Sequence, residues 1–93
     1  MVSIKEAAAN AIEFARAALG PERTTGVRLE EVESTKVVGE DAWLITLSMI
    51  SPDAQINPIA STLGQGNRDY KSFTILKDNG EVTSMKIREL ANV

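Results

Sequence analysis

Between residues 42 and 50 the chain reads AWLITLSMI, with Trp43, Ile45, Leu47 and Met49 at every second position. A β-strand sends successive side chains to opposite faces. This spacing therefore predicts a strand with one strongly apolar face, the clearest period-two signal in the sequence. A one-sided strand must lie in a sheet whose apolar face is covered by another layer.

Residues 3–19, SIKEAAANAIEFARAAL, supply the cover. Ser3 and Glu6 stand in the S-x-x-E order of a capping box, in which each side chain accepts from the other's free backbone amide. Ile4, Ala8, Ala11, Ile12, Ala15 and Leu19 recur at helical spacing, with Phe14 near the edge of the stripe. Gly20-Pro21 ends the helix, glycine taking the left-handed cap and proline lacking the donor to continue. So much alanine on one face predicts close approach to a flat partner such as a sheet.

Three further strands are expected. Residues 27–38, VRLEEVESTKVV, are rich in strand formers but change phase: Val27 and Leu29 share one register, Val32 and Val38 the other. A bulge or bend at Glu30-Glu31 reconciles them. Gly39-Glu40-Asp41 is the candidate turn into strand 42–50. The remaining two strands are expected at 69–77 and 81–89, about Asp78-Asn79-Gly80. A three-residue turn there, with Gly80 at positive φ, pairs Lys77 with Glu81, Phe73 with Met85 and Lys71 with Ile87. The same register sets Ile75 opposite Thr83, Leu76 opposite Val82 and Tyr70 opposite Arg88. It gathers Phe73, Ile75, Met85 and Ile87 on one side. Residues 51–68, SPDAQINPIASTLGQGNR, form an irregular link in which Asn57-Pro58 has the order of a helix start and Gly64 of a helix stop. Links this long in small domains are usually functional or mobile.

The composition narrows the chemistry. The 93 residues suit one domain, with 43% hydrophobic and 25% charged residues as in ordinary globular chains. Neither cysteine nor histidine occurs, which removes disulfides, thiolate nucleophiles, Cys-ligated metal sites and His-based general-base catalysis. A net charge of -3 and a pI near 4.9 argue against nucleic-acid binding, which needs clustered Lys and Arg. No membrane-length apolar run and no signal-peptide h-region are present. The expected compartment is the cytoplasm.

The short motifs lead away from bound ions. A calcium loop ending at Gly80 needs ligands where Lys77 and Ile75 stand, so DNG reads as a turn. The GQG at Gly64–Gly66 lacks the strand, the helix and the third glycine of a phosphate loop, Asp69 standing in the last position. Glu30, Glu31, Glu33, Glu40 and Asp41 form an acidic run, and Glu30 and Glu31 point to opposite faces as strand neighbours do. It reads first as a solvated face and second as a patch for a cation or basic partner. Lys71, Lys77, Lys86 and Arg88 either neutralise those acids across the sheet or offer a partner surface. Lys5, Lys36, Lys71, Lys77 and Lys86 read as surface or sheet-edge residues, and a Ser–Lys dyad has no positive support. Trp43 reads as a core anchor ahead of a ligand-stacking residue.

The order helix, bent strand, strand, link, strand, turn, strand resembles the small PepSY-type module and, more broadly, the cystatin-like α+β domains. The likeness is carried by IKEAAANAIEFARAAL, the pair VESTKVV and DAWLITLSM, and the closing YKSFTILKDNGEVTSMKI with Asp78, Gly80 and Val82. Small immunity-type bacterial domains share this outline. The resemblance implies a helix packed across an antiparallel sheet and non-catalytic roles, including inhibition or regulation of peptidases, usually outside the cytoplasm. It supplies no catalytic residue.

The resulting expectation is an α+β domain with one helix on a four-stranded antiparallel sheet in mostly meander order. The face away from the helix is expected to carry Leu44, Thr46, Ser48, Tyr70, Ser72, Thr74, Ser84, Lys86 and Arg88. The expected function is that of a non-enzymatic protein-binding or regulatory module, of inhibitor or immunity type, without cofactor or metal. Its partner contacts are placed at Tyr70, Lys86 and Arg88 on the sheet and at Ile56, Ile59 and Leu63 in the link. The alternatives are a small-ligand-binding or weakly catalytic protein with a pocket between helix and sheet, lined by Trp43, Tyr70 and polar neighbours, and a homodimer through a sheet edge.

Overall fold

The computed structural model describes residues 1–50 and 68–87. The chain folds as helix α1 (Ile4–Leu19) followed by strands β1 (Arg28–Val37), β2 (Glu40–Ile50), β3 (Arg68–Leu76) and β4 (Val82–Ile87). The strands form one antiparallel sheet in the order β1-β2-β3-β4, with α1 packed on it. This is an α+β fold.

The start of α1 follows from its capping box. The Ser3 backbone amide donates to Glu6 Oε1 at 3.0 Å, and the Glu6 amide to Ser3 Oγ at 3.1 Å. At the other end Gly20 takes φ +88 and donates to the Arg16 carbonyl, and Pro21 opens a short 3-10 turn, Pro21–Arg23. The face that meets the sheet is an alanine ridge: Ala7, Ala11 and Ala15 are fully buried. Side chains this small let the helix backbone approach β2 and β3 closely. Ala8, Ile12 and Leu19 fill the margins of the ridge, whereas Ile4 is 45% exposed. The buried stripe thus runs through Ala7, Ala11 and Ala15 and leaves Ile4 outside it.

Opposite the ridge lie Ile45, Leu47, Met49, Phe73 and Ile75, all fully buried. Fully burying side chains of this size gives about 1.5–3 kcal/mol each, so these five outweigh the three alanines as the source of core stability. Phe14 meets Phe73 edge to face at 6.3 Å between ring centroids.

The bulge in β1 is at the expected place. Leu29 pairs with Leu47 and Glu31 with Thr46, leaving Glu30 as the extra residue. Leu29 and Val32 thereby reach the same face despite their odd spacing. The β1–β2 turn differs from expectation: it consists of Val38-Gly39, with φ +50 and +81, and Glu40 and Asp41 already belong to β2. Two consecutive positive φ values match the right-handed strand twist, as in a type I′ hairpin. Val38 is consequently 97% exposed and outside the strand.

The β3–β4 hairpin also differs in detail. Leu76 and Glu81 close the loop: the Gly80 amide donates to the Leu76 carbonyl and the Leu76 amide to the Glu81 carbonyl, both at 2.9 Å. The loop therefore holds Lys77, Asp78, Asn79 and Gly80, one residue more than expected, and Ile75 pairs with Val82 instead of Thr83. A bulge at Thr83 takes up the extra residue, so that Phe73–Met85 and Lys71–Ile87 pair as expected. Arg68, expected in the link, begins β3 opposite Ile50. Of the expected strand 81–89, residues 88 and 89 lie outside the described residues, as does the link from 51 to 67.

Candidate functional site

Strand parity divides the sheet into two surfaces of different chemistry. On the face away from α1, cross-strand pairing assembles three rows. They are Glu33–Leu44–Thr74–Ser84, Glu31–Thr46–Ser72–Lys86 and Arg28–Ser48–Tyr70. Each residue expected on this face within the described part of the chain is on it. Tyr70 is half-buried beside Ser48, and Lys86 is exposed beside Ser72. Arg88, Ile56, Ile59 and Leu63 lie outside the described residues.

The hydroxyls of this face bond to one another. Ser84 Oγ donates to Thr74 Oγ1 at 3.0 Å, and the Thr46 and Ser72 hydroxyls stand 3.4 Å apart. The charges are graded across the sheet, with Glu31 and Glu33 on β1 and Lys86 on β4. Three strand spacings separate Glu31 from Lys86, about 14 Å, so Lys86 does not neutralise that acid by direct contact. Lys77 takes another role: its ammonium lies 4.0 Å from the Trp43 ring centroid and donates to Ser34 Oγ at 2.6 Å. Lys36 pairs with Asp41 of its own hairpin at 2.9 Å.

At one end of this face Arg68 forms a clamp that sequence reasoning missed. Its Nε donates to Ser48 Oγ at 2.9 Å, and its Nη2 donates to the carbonyls of Ser48 and Gly26. Ser48 Oγ in turn donates to Glu30 Oε2 at 2.6 Å. Ser48 is fully buried, and its hydroxyl is spent as donor to the carboxylate and acceptor from the guanidinium. The bulge in β1 carries Glu30 and β2 carries Ser48, so the clamp fastens the end of the sheet from which the 51–67 segment departs. The available signal was the alternation of β3, which extends one residue further back than expected.

The helix-facing surface is apolar under α1 and changes at the β4 margin. Trp43 is half-buried at one end of it, packed on the core, with Nε1 donating to the Val2 carbonyl at 3.2 Å. Trp43 pairs with Ile75 and Tyr70 with Ser48, on opposite faces of the sheet. They therefore do not line a common pocket, because two positions of unlike parity cannot share a face. Lys71 corrects another expectation. It is 7% exposed, on the helix-facing side between Leu47 and Ile87, because the parity of a central strand places it there with its aliphatic stem among apolar neighbours.

Between α1 and β4 runs an open groove of about 420 Å³ lined by Asn10, Glu13, Phe14, Ala17, Glu81 and Val82. Asn10 is anchored in it by Nδ2, which donates to the Gly80 carbonyl at 3.0 Å. The Asp78-Asn79-Gly80 stretch thus turns the chain and also docks the hairpin on the helix. Asn79 Oδ1 accepts from the Glu81 amide at 2.8 Å, an Asx contact that supports the turn. Among the described residues no group of three acidic side chains is placed to hold a metal ion, and no helix is long and apolar enough to cross a membrane.

Among the described residues, Glu6 and Asp41 titrate below their ordinary range, and both causes are structural. The Ser3 backbone amide, and then its hydroxyl, hold Glu6 low, and the Lys36 hydrogen bond and charge hold Asp41 low. Neither has the raised value of a carboxylic acid prepared to donate a proton.

Comparison with protein-family models, curated proteins and solved structures gives no match for this chain.

Proposed function

We propose that this chain is a non-enzymatic protein-binding or regulatory module that engages its partner through the sheet face opposite α1. The observation that carries this reading is the chemistry of the sheet face opposite α1, which is polar and ends in exposed Lys86. Helix α1 covers one face, while the other assembles Tyr70, Ser72, Thr74, Ser84 and Lys86 in adjoining rows. Such a face offers an aromatic ring, an exposed ammonium and a bed of short hydroxyls, a composition suited to a polar, adaptable interface. The PepSY-type likeness adds inhibition or regulation of a peptidase as the role such a module would serve, and immunity-type domains offer the same logic of binding without turnover.

The test is differential capture. The full chain and its Tyr70→Ala/Lys86→Glu variant are immobilised in parallel and exposed to the same extract, with circular dichroism confirming equal folding. The expected result is a specific protein retained by the native chain and reduced about tenfold by the variant, a loss typical of one hot-spot residue. Equal retention by both removes the face from the binding reading.

A further inference from the structure

We propose that the groove between α1 and β4 is a second docking site, which receives an extended segment of a partner chain rich in apolar and basic residues. It rests on the reading of the chain as a protein-binding module, but on a different surface. Three observations converge. First, the groove has walls of unlike chemistry: Phe14, Ala17 and Val82 are apolar, while Glu13 on α1 and Glu81 on the hairpin put a carboxylate on each side. At about 420 Å³ it lies within the size range of binding clefts.

Second, the apolar surface continues beyond the groove. Val82, Met85 and Ile87 all face the helix side, paired with Ile75, Phe73 and Lys71. The bulge at Thr83 makes this possible, because without it Val82 and Met85 would point to opposite faces. Helix α1 touches β2, β3 and β4, and along β4 the apolar track runs from half-buried Val82 to Ile87, which is 76% exposed. Phe14, 38% exposed, stands above it.

Third, β4 is the edge of the described sheet. An extended segment that pairs with an edge strand gains backbone hydrogen bonds and sends alternate side chains over the adjoining surface. Here those side chains would meet Val82, Met85 and Ile87, and near the turn they would meet Glu13 and Glu81. Apolar residues alternating with Lys or Arg complement both features, the apolar track and the Glu13 and Glu81 carboxylates.

The experiment titrates the isotopically labelled full chain with a short synthetic peptide alternating Leu and Lys, following backbone amide shifts. Peptides alternating Leu with Glu and Ser with Lys serve as controls. The Leu–Lys peptide is expected to shift the amides of Ala17, Glu81, Val82 and Met85. Glu13→Lys and Glu81→Lys are each expected to weaken it about tenfold, and Phe14→Ala to weaken it without a change in charge. Glu33→Lys, which alters net charge equally on β1, is expected to leave it unchanged. Failure of the Leu–Lys peptide to bind, or an equal loss with Glu33→Lys, overturns the proposal. Shifts centred on Tyr70 and Lys86 also overturn it while leaving the protein-binding reading intact. That reading fails separately, by equal capture with the native chain and the Tyr70/Lys86 variant.

Discussion

Gly80 meets two demands at one backbone position. Its φ of +76 belongs to the left-handed region, and a Cβ there would stand 2.8 Å from Asn10 Nδ2 and 3.0 Å from Val2 Cγ1. Alanine would strain the turn and push away the side chain that bonds the Gly80 carbonyl. Gly80→Ala is expected to cost about 1–2 kcal/mol, and Asn10→Ala about 1 kcal/mol. Urea denaturation of the two variants and their double mutant measures this. The double mutant should cost less than the sum, because both changes break the same contact. Sequence reasoning placed Gly80 at positive φ from the turn it must make, but not Asn10 beside it, since local spacing carries no information about a contact seventy positions away. Lys71 shows the same limit from the other side. Its charge suggested the surface, while strand parity put it between Leu47 and Ile87.

At the level of elements, the two hairpins differ in how well their turns suit them. Val38 is a β-branched residue at φ +50, in a turn that favours Asn-Gly. Relief of strain at such a residue amounts to about 1 kcal/mol. Val38→Asn is expected to raise the unfolding midpoint by roughly 4–8 °C for a domain of this size, read by thermal circular dichroism. Because Val38 is 97% exposed, no packing is lost to offset the gain. The element order, the capping box, the β1 bulge and the pairings Phe73–Met85 and Lys71–Ile87 were legible because apolar periodicity fixes which residues must share a face. The turn lengths were not. At Gly39 a three-residue loop would turn every β1 side chain to the face opposite the one that the two-residue loop gives it, but the phase change at Glu30-Glu31 left the face of β1 open. At Gly80 the extra loop residue is cancelled by the bulge at Thr83. Periodicity registers only the sum of such changes.

For the molecule as a whole, the placement of α1 decides what is left to bind anything. Touching β2, β3 and β4, it buries one face, leaves the Tyr70–Lys86 face on the other side and leaves the groove at the β4 margin. The sequence revealed that a helix covers a sheet, because alternation and helical spacing each demand a partner. It did not reveal the sideways position of the helix, so Phe14, Glu13 and Glu81 went unnoticed as a group. The central claim is therefore that the Ala7–Ala11–Ala15 ridge is the buried contact of α1. Urea denaturation of Ala11→Leu against Ala17→Leu tests it most directly. With Ala11 fully buried against the sheet and Ala17 exposed in the groove, Ala11→Leu is expected to lose about 1–3 kcal/mol by overpacking. Ala17→Leu is expected to stay within about 0.5 kcal/mol of the native chain. Equal tolerance at both positions, or a greater loss at Ala17, would place a different face of the helix on the sheet and contradict the account.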